Sequence, residues 1–432
     1  MIAETRSNRR VVLLICDGHR ADFVTPDYCP EIAAFSAESR RFGNHTAIFP
    51  SATRASAASI ATGCWPATHG LHGNMMGLPE AGGVRIHDVG DPAFRGKMRE
   101  AFGRTLRVPT LAERLANHGG AVIASNVSPG AAYFHDPDHF GEVVHRAGAF
   151  GPGGRPLTAD EAPIVSHDAA GDRDLTRWMC GRAIVRGGPA LSVLWLSDPD
   201  LSMHADALGS TTHLAGIAAA DACFAEARDA VEALRAQGED VLFIVASDHG
   251  QETVMAHVAV DDLLVGAGLK DHADSTEVVV APQGGSGLVY MAGEGLARRD
   301  RVAAFLADHP AIAEVFVGDA MRPLGQAPEA GLQIAFAMAR DEAPNGNGVP
   351  GRITLCVSGG VSGAKPGKPV GRGSHGGLGR FERHPFLIVN GGGFAAGTIE
   401  YGRSHLVDIA PTILRHLGLP RHGMDGMALS RN

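Results

Sequence analysis

Five short apolar runs, at residues 11–16, 121–124, 193–196, 241–246 and 386–389, set the frame for this chain. They are rich in β-branched residues and lack a polar alternation. That is the pattern of strands buried on both faces, which belong to parallel sheets covered by helices. Helical patterns lie between them. Ile217, Ala220, Phe224, Ala227, Val231 and Leu234 recur at steps of three and four, giving one apolar stripe that ends at Gly238. Pro109 suits a first helical position, and Asp408 is an N-cap candidate with Pro411 in the first turn. The expected fold class is α/β: a three-layer α/β/α sandwich with a mostly parallel central sheet, whose strand ends carry the site.

Between residues 256 and 372 the texture changes. Shorter strand patterns at 288–291, 332–337 and 353–357 are separated by a helical pattern at 299–308 and by Gly/Pro-rich loops. The expected organisation is a catalytic α/β core formed by 1–255 and 373–432, interrupted by an inserted α+β cap at 256–372.

Charge and composition narrow the partners. The 432 residues carry 38 basic and 47 acidic side chains, a net charge of −9, which argues against a nucleic-acid polymer because phosphate backbones are bound by dense basic surfaces. No run approaches the roughly 20 apolar residues of a membrane span, so no membrane partner is expected. Six scattered cysteines without a close pair read as buried free thiols of a cytoplasmic protein. The 21 histidines are the feature to follow, since imidazole is the commonest metal ligand.

Five segments place Asp, His or Thr directly after an apolar run or in a glycine-rich loop. They are Asp17-Gly18; Thr53-Arg54-Ala-Ser56, opening a helix towards Thr62-Gly63; Asp198-Pro-Asp200-Leu-Ser-Met-His204; Ser247-Asp248-His249-Gly250; and Gly373-Ser-His375-Gly-Gly377. Each alone has an ordinary structural role, as a turn aspartate, a helix cap or a surface Asp–His pair. Together, through Asp17, Asp200 and Asp248, His204, His249 and His375, and Thr53, they supply three carboxylates, three imidazoles and a hydroxyl. Such a donor set suits two divalent ions, zinc first, with manganese or iron as alternatives. Two ions roughly 3.5–4 Å apart can clamp the attacking and leaving oxygens of an in-line phosphoryl displacement.

In this order the five segments resemble the alkaline phosphatase superfamily, especially its nucleotide pyrophosphatase/phosphodiesterase and phosphonoacetate hydrolase branches. The strongest match runs from Thr53 to Asn74, which stand 21 residues apart as the nucleophilic threonine and an asparagine do in that family. The resemblance covers most of 10–255 and 373–428. It implies one ion held by Asp200, His204 and His375, and a second held by Asp17, Asp248, His249 and the Thr53 oxygen. It also implies that Asn74 and the backbone N–H after Thr53 donate to a non-bridging phosphoryl oxygen, and that hydrolysis passes through a covalent phosphothreonine.

The chain departs from these relatives in two places. The diesterase branch has Phe-Pro-Asn after its threonine, its ring forming part of a nucleobase platform. Here Arg54-Ala55-Ser56 follows, and Arg54 becomes a candidate for holding a second anionic group of the substrate. The phosphonoacetate branch holds its substrate carboxylate with lysines after a strand corresponding to 121–124, where this chain has none. Sulfatases need Cys or Ser at the nucleophile, so Thr53 excludes that activity. His19, His45, His69 and His72 lie near the site segments and receive no ligand role. The expected function is a metal-dependent phosphoric ester hydrolase, foremost a phosphodiesterase, acting on a small-molecule phosphate or phosphonate ester. The alternatives are hydrolysis of a carbon–phosphorus bond and a metal-binding module without catalysis.

Overall fold

A computed structural model of the chain describes residues 8–359 and 368–432. Its centre is an eight-stranded sheet in the order Thr398–Glu400, Arg40–Phe42, Leu387–Asn390, Asp240–Ala246, Arg9–Cys16, Leu191–Leu196, Ala121–Ser125, Glu142–Val144. The five apolar runs all lie within or overlap these strands. Arg9–Cys16 pairs in parallel with Leu191–Leu196 on one side and Asp240–Ala246 on the other. The fifth run behaves differently, because Leu387–Asn390 is antiparallel to both of its neighbours. The chain enters it directly from the site end through the short helix Arg380–Arg383. No crossover helix carries it back to the other end of the sheet, as a parallel connection would require.

The alternating side chains of Arg9–Cys16 explain the lack of polar alternation. Val11, Leu13 and Ile15 enter one core cluster, shared with Ala57 and Ile60 of helix Thr53–Thr62 and with Ile409 and Ile413 of helix Ile409–Leu417. Val12, Leu14 and Cys16 enter the other, shared with Leu175 and Met179 of Ala169–Arg182 and with the stripe of Thr211–Ala236. Both faces are covered, and the layers are α/β/α. Burying such a strand stabilises by roughly 1.5–3 kcal/mol for each large aliphatic side chain, which a polar residue on either face would forfeit.

The long helix Thr211–Ala236 begins where the Ser210 hydroxyl accepts the His213 N–H at 3.2 Å, and all six stripe residues are buried. Two end signals are used differently from expectation. Pro109 lies before the cap of helix Leu111–Leu115, where the Thr110 side chain accepts the Glu113 N–H. Asp408 precedes Ile409–Leu417, yet its carboxylate accepts the N–H groups of His405 and Met427 instead of capping the helix.

Two four-stranded sheets follow the sheet strand Asp240–Ala246. One joins Glu252–Ala259 to Pro350–Val357, with Arg340–Pro344 and Gly373–Ser374 at its edges. The other is antiparallel, in the order Val278–Pro282, Ser286–Met291, Leu332–Met338, Ile312–Val317, and packs on helix Arg299–Asp308. A hairpin from the first part of the chain, Met75–Glu80 with Gly83–Asp88, shares a core with that second sheet through Met76, Leu78, Val84, Leu288 and Tyr290. Among the described residues no helix is long and apolar enough to cross a membrane, and the six cysteines are free thiols, all buried except the half-buried Cys180.

Candidate active site

The carboxyl ends of the central strands gather the site. Asp17 follows Arg9–Cys16, Asp248 lies just past Asp240–Ala246, and Asp200 opens the short helix Asp200–Ala205 beyond Leu191–Leu196. Gly18 makes this convergence feasible. Its φ of +65° suits glycine, a Cβ there would stand 3.0 Å from Asp200 Oδ1, and its N–H donates to Asp248 Oδ1 at 3.2 Å. His375 arrives from the loop after Gly373–Ser374, where Gly376 (φ +104°) passes so close to Gln283 that a Cβ would lie 1.6 Å from its carbonyl oxygen.

Two tight groups of metal-type donors result, Asp200/His249/His375 and Asp17/Asp248/His249, each with its ligand atoms within 4.8 Å of one another. His249 therefore stands between both. Its Nε2 is 3.5 Å from Asp17 Oδ1, 3.2 Å from Asp248 Oδ2 and 3.1 Å from the Thr53 hydroxyl oxygen. His204 sits at the margin, its Nε2 3.4 Å from Asp200 Oδ2, outside the two tight groups. The rings of His249 and His375 stack at 3.7 Å. His19, His45, His69 and His72 belong to neither group; His45, for example, bonds Ser404 and His69 bonds Ser59.

These residues fit divalent ions. All three imidazoles direct Nδ1 at a main-chain carbonyl: His204 at Gly373 (2.8 Å), His375 at Ser51 (2.6 Å) and His249 at Gly250 (3.0 Å). Nε2 is thereby left as the outward donor, the arrangement that orients metal-binding histidines. Asp17 Oδ1 and Asp248 Oδ2 are buried oxygens with no hydrogen-bond partner among the described residues. Two carboxylates within 4.8 Å repel by about 3 kcal/mol even at an effective dielectric of 20, so a nearby cation is the natural counter-charge. The titration agrees. Burial and the neighbouring carboxylates push Asp17 well above the usual carboxylate range, and burial together with Asp200 does the same to Asp248. Burial would also raise Asp200, but His204, His375 and His249 outweigh it and hold it low. Burial pushes His204 and His249 down to about 4 and His375 down to about 3, so the rings are neutral at neutral pH.

Thr53 is the first residue of the ten-residue helix Thr53–Thr62 and only 8% exposed. Ala52 takes the cap position, so the Thr53 hydroxyl is not spent on capping. A helix start also aims free N–H groups and a positive dipole end at anions. Asn74 stands beside it with an altered role for one expected donor: the Arg54 N–H is given to Asn74 Oδ1 at 3.1 Å. That bond leaves the Asn74 Nδ2 group as the side chain's remaining donor. The Asn74 N–H is in turn held by Gln283 Oε1 at 2.7 Å.

Arg54 lines the adjacent cavity of about 590 Å³, as do Asp17, Thr53, Asn74, Asp200, His204 and His375. Its guanidinium is largely committed. Nη1 lies 2.8 Å from Asp88 Oδ1 and donates to the Asn74 carbonyl at 2.9 Å, and Nε donates to Ser128 Oγ at 3.0 Å. Sequence reasoning missed Asp88, Gln283 and Arg146 on the same walls, and Trp195, whose Nε1–H holds Asp17 Oδ2 at 3.1 Å. Only Trp195 carried a signal, being inside a recognised strand. Gln251, two residues past His249, also donates to Asp200 Oδ1.

A largely parallel sheet covered by helices on both faces, with acidic and histidine side chains gathered at its strand ends, defines an α/β/α protein with a candidate metal centre. The model of the type I phosphodiesterase / nucleotide pyrophosphatase family matches residues 11–323, and the chain belongs to that family. Two solved structures share the fold. Murine ectonucleotide pyrophosphatase / phosphodiesterase 5, in an inactive form with AMP, is 17% identical with a TM-score of 0.68, covering 97% of both chains. Phosphonoacetate hydrolase from Sinorhizobium meliloti 1021, in complex with phosphonoformate, is 16% identical with a TM-score of 0.68, covering 96% of both chains. No curated protein matches this chain by sequence.

Proposed function

We propose that the chain is a metal-dependent phosphodiesterase of small-molecule esters that works through a covalent phosphothreonine on Thr53 and two divalent ions, zinc foremost. Asp200, His204 and His375 would hold one ion; Asp17, Asp248, His249 and the Thr53 oxygen would hold the other. The observation that carries this reading is the position of the Thr53 hydroxyl, 3.1 Å from His249 Nε2, the same nitrogen that two buried carboxylate oxygens approach, oxygens with no hydrogen bond among the described residues. When bound, the ions supply Lewis acidity, lowering the pKa of the hydroxyl and neutralising charge that builds on the phosphoryl oxygens.

The chain's own groups do the rest. The Thr53 oxygen attacks phosphorus in line, and the leaving alkoxide departs on the side of Asp200, His204 and His375. Asn74 Nδ2 donates to a non-bridging oxygen; before substrate arrives the Arg54 N–H holds the Asn74 side-chain amide through Oδ1, and Gln283 Oε1 holds the Asn74 main-chain N–H. Water then hydrolyses the phosphothreonine from the side the leaving group vacated. In this reading residues 256–372, joined by the hairpin of 75–88, form the cap over a core of 1–255 and 373–432. The six free thiols support a cytoplasmic location.

Likeness to the phosphonoacetate hydrolase favours a second reading, cleavage of a carbon–phosphorus bond in a small phosphonate. A panel of matched monoesters, diesters and phosphonates, tested with zinc- or manganese-loaded protein, separates the two. Diester turnover that disappears in Thr53→Ala is the expected result. A metal-loaded protein inactive on the whole panel would mark a binding module instead.

A further inference from the structure

Two arginines line the cavity beside the site, and they differ in what they hold. Arg54 is paired with Asp88 at 2.8 Å, so its charge is already compensated. Arg146, just beyond the edge strand Glu142–Val144, is half-buried and pairs with no acidic side chain among the described residues. Its Nη1 donates to the carbonyls of Asn126 at 2.6 Å and Val127 at 2.5 Å. Nε and Nη2 make no hydrogen bond to a described residue. Asp172, whose charge acts on Arg146, is committed elsewhere: it accepts from Asn126 Nδ2 (2.9 Å), the Ser197 N–H (3.0 Å) and the Asp198 N–H (3.0 Å).

His167 and Lys368 line the same cavity at its exposed rim. Burial and the charges of Arg146 and Lys368 push the His167 imidazole below its ordinary value, which places the three groups within electrostatic reach of one another. One edge of Arg146 is anchored by main-chain carbonyls and the other edge carries two parallel N–H groups. Such a fork matches the two oxygens of a carboxylate or phosphate.

We propose that Arg146, supported by His167 and Lys368, forms a subsite for a second anionic group, and that the substrate class is small phosphoryl or phosphonyl compounds bearing a carboxylate or a second phosphate. This rests on the reading of the neighbouring strand ends as the phosphoryl-handling site. It transfers to Arg146 the role that sequence adjacency suggested for Arg54.

The test is equilibrium binding by calorimetry to zinc-loaded wild-type protein. The probes are ω-carboxyalkyl phosphonates with two to four methylenes, the corresponding carboxamides, and bisphosphonates of the same lengths. Within at least one length the carboxylate or the bisphosphonate should bind tenfold or more tightly than the neutral amide, and the better of the two identifies the second anion. Arg146→Met should remove that preference while leaving amide binding unchanged, and Arg146→Lys should restore only part of it. Equal binding of charged and neutral probes, or a preference that survives Arg146→Met, would overturn the subsite while the phosphoryl-site reading stands. Failure of every phosphonate to bind would overturn both.

Discussion

Asp17 and Asp248 stand within two residues of the ends of buried parallel strands, whereas Asp88, Arg146 and Gln283 reach the same cavity from a hairpin, an edge-strand loop and a turn of the second sheet. The first region is almost wholly buried and has its imidazoles tied to backbone carbonyls. The second, apart from the buried Gln283, is half-buried, and is held by the Arg54–Asp88 ion pair and by the bond from the Asn74 main-chain N–H to Gln283 Oε1. The difference separates two jobs. On the proposed function, strand ends would fix the reacting chemistry, because a donor on a buried strand cannot drift, and the walls would set which molecule is accepted, because loops can vary without disturbing the sheet.

The largest expected effect lies in the first region. Asp248→Ala should lower bound divalent metal from about two ions to about one per chain and reduce turnover by roughly 10³-fold or more, for every substrate alike. Elemental analysis alongside kinetics checks this. Asn74→Ala should cost roughly 10²–10³ in kcat with metal content intact, since it removes one donor to developing charge. If metal is lost along with activity, Asn74 belongs with the ligand framework and not with the transition state.

Acid tests the dense packing of the core half. Burial pushes His19, His45 and His69 down to about 3. Their folded pKa lies below the unfolded value, so the unfolded chain binds protons that the folded one does not. Their contribution is complete above about pH 6.5 and is lost as pH falls towards 3, at about 1.4 kcal/mol per pH unit for each ring. Urea unfolding at pH 7.5 and pH 5 should show the loss; equal stability at the two values would break the account. The smallest effect belongs to the walls. Gln283→Leu should lower kcat about tenfold, about 1.4 kcal/mol, because its side chain no longer holds the main-chain N–H groups of Asn74 and Met75 and the carbonyls of Met75 and Ala281, with the metal content unchanged.

Much of the first region was legible in the sequence because burial on both faces leaves an unbroken apolar run, and the residue that follows such a run must sit at a sheet edge. Asp17, Asp200, Asp248 and His249 announced themselves in this way, His375 by its glycine-rich loop, and the structure brings them together. The marginal position of His204 depends on a ring orientation set by the distant Gly373 carbonyl, and the shared position of His249 on its approach to Asp17 and Thr53, far away in the chain, which no local pattern encodes. The walls were illegible for a related reason. Asp88 meets Arg54 only because the hairpin Met75–Glu80/Gly83–Asp88 folds against residues 278–291, some 200 positions later in the chain. Arg54 read as a candidate anion holder because adjacency to Thr53 says nothing of which partner waits across the cavity. The antiparallel course of Leu387–Asn390 was hidden too, since a buried run reads the same in either direction.

The central claim is the covalent role of Thr53, and trapping tests it most directly. Metal-loaded protein mixed with an activated diester, quenched in acid within the first turnover and digested, should yield a peptide carrying a phosphoryl monoalkyl or monoaryl adduct on Thr53 by mass spectrometry. Turnover without any adduct on that residue, or with the same rate in Thr53→Ala, would contradict the account.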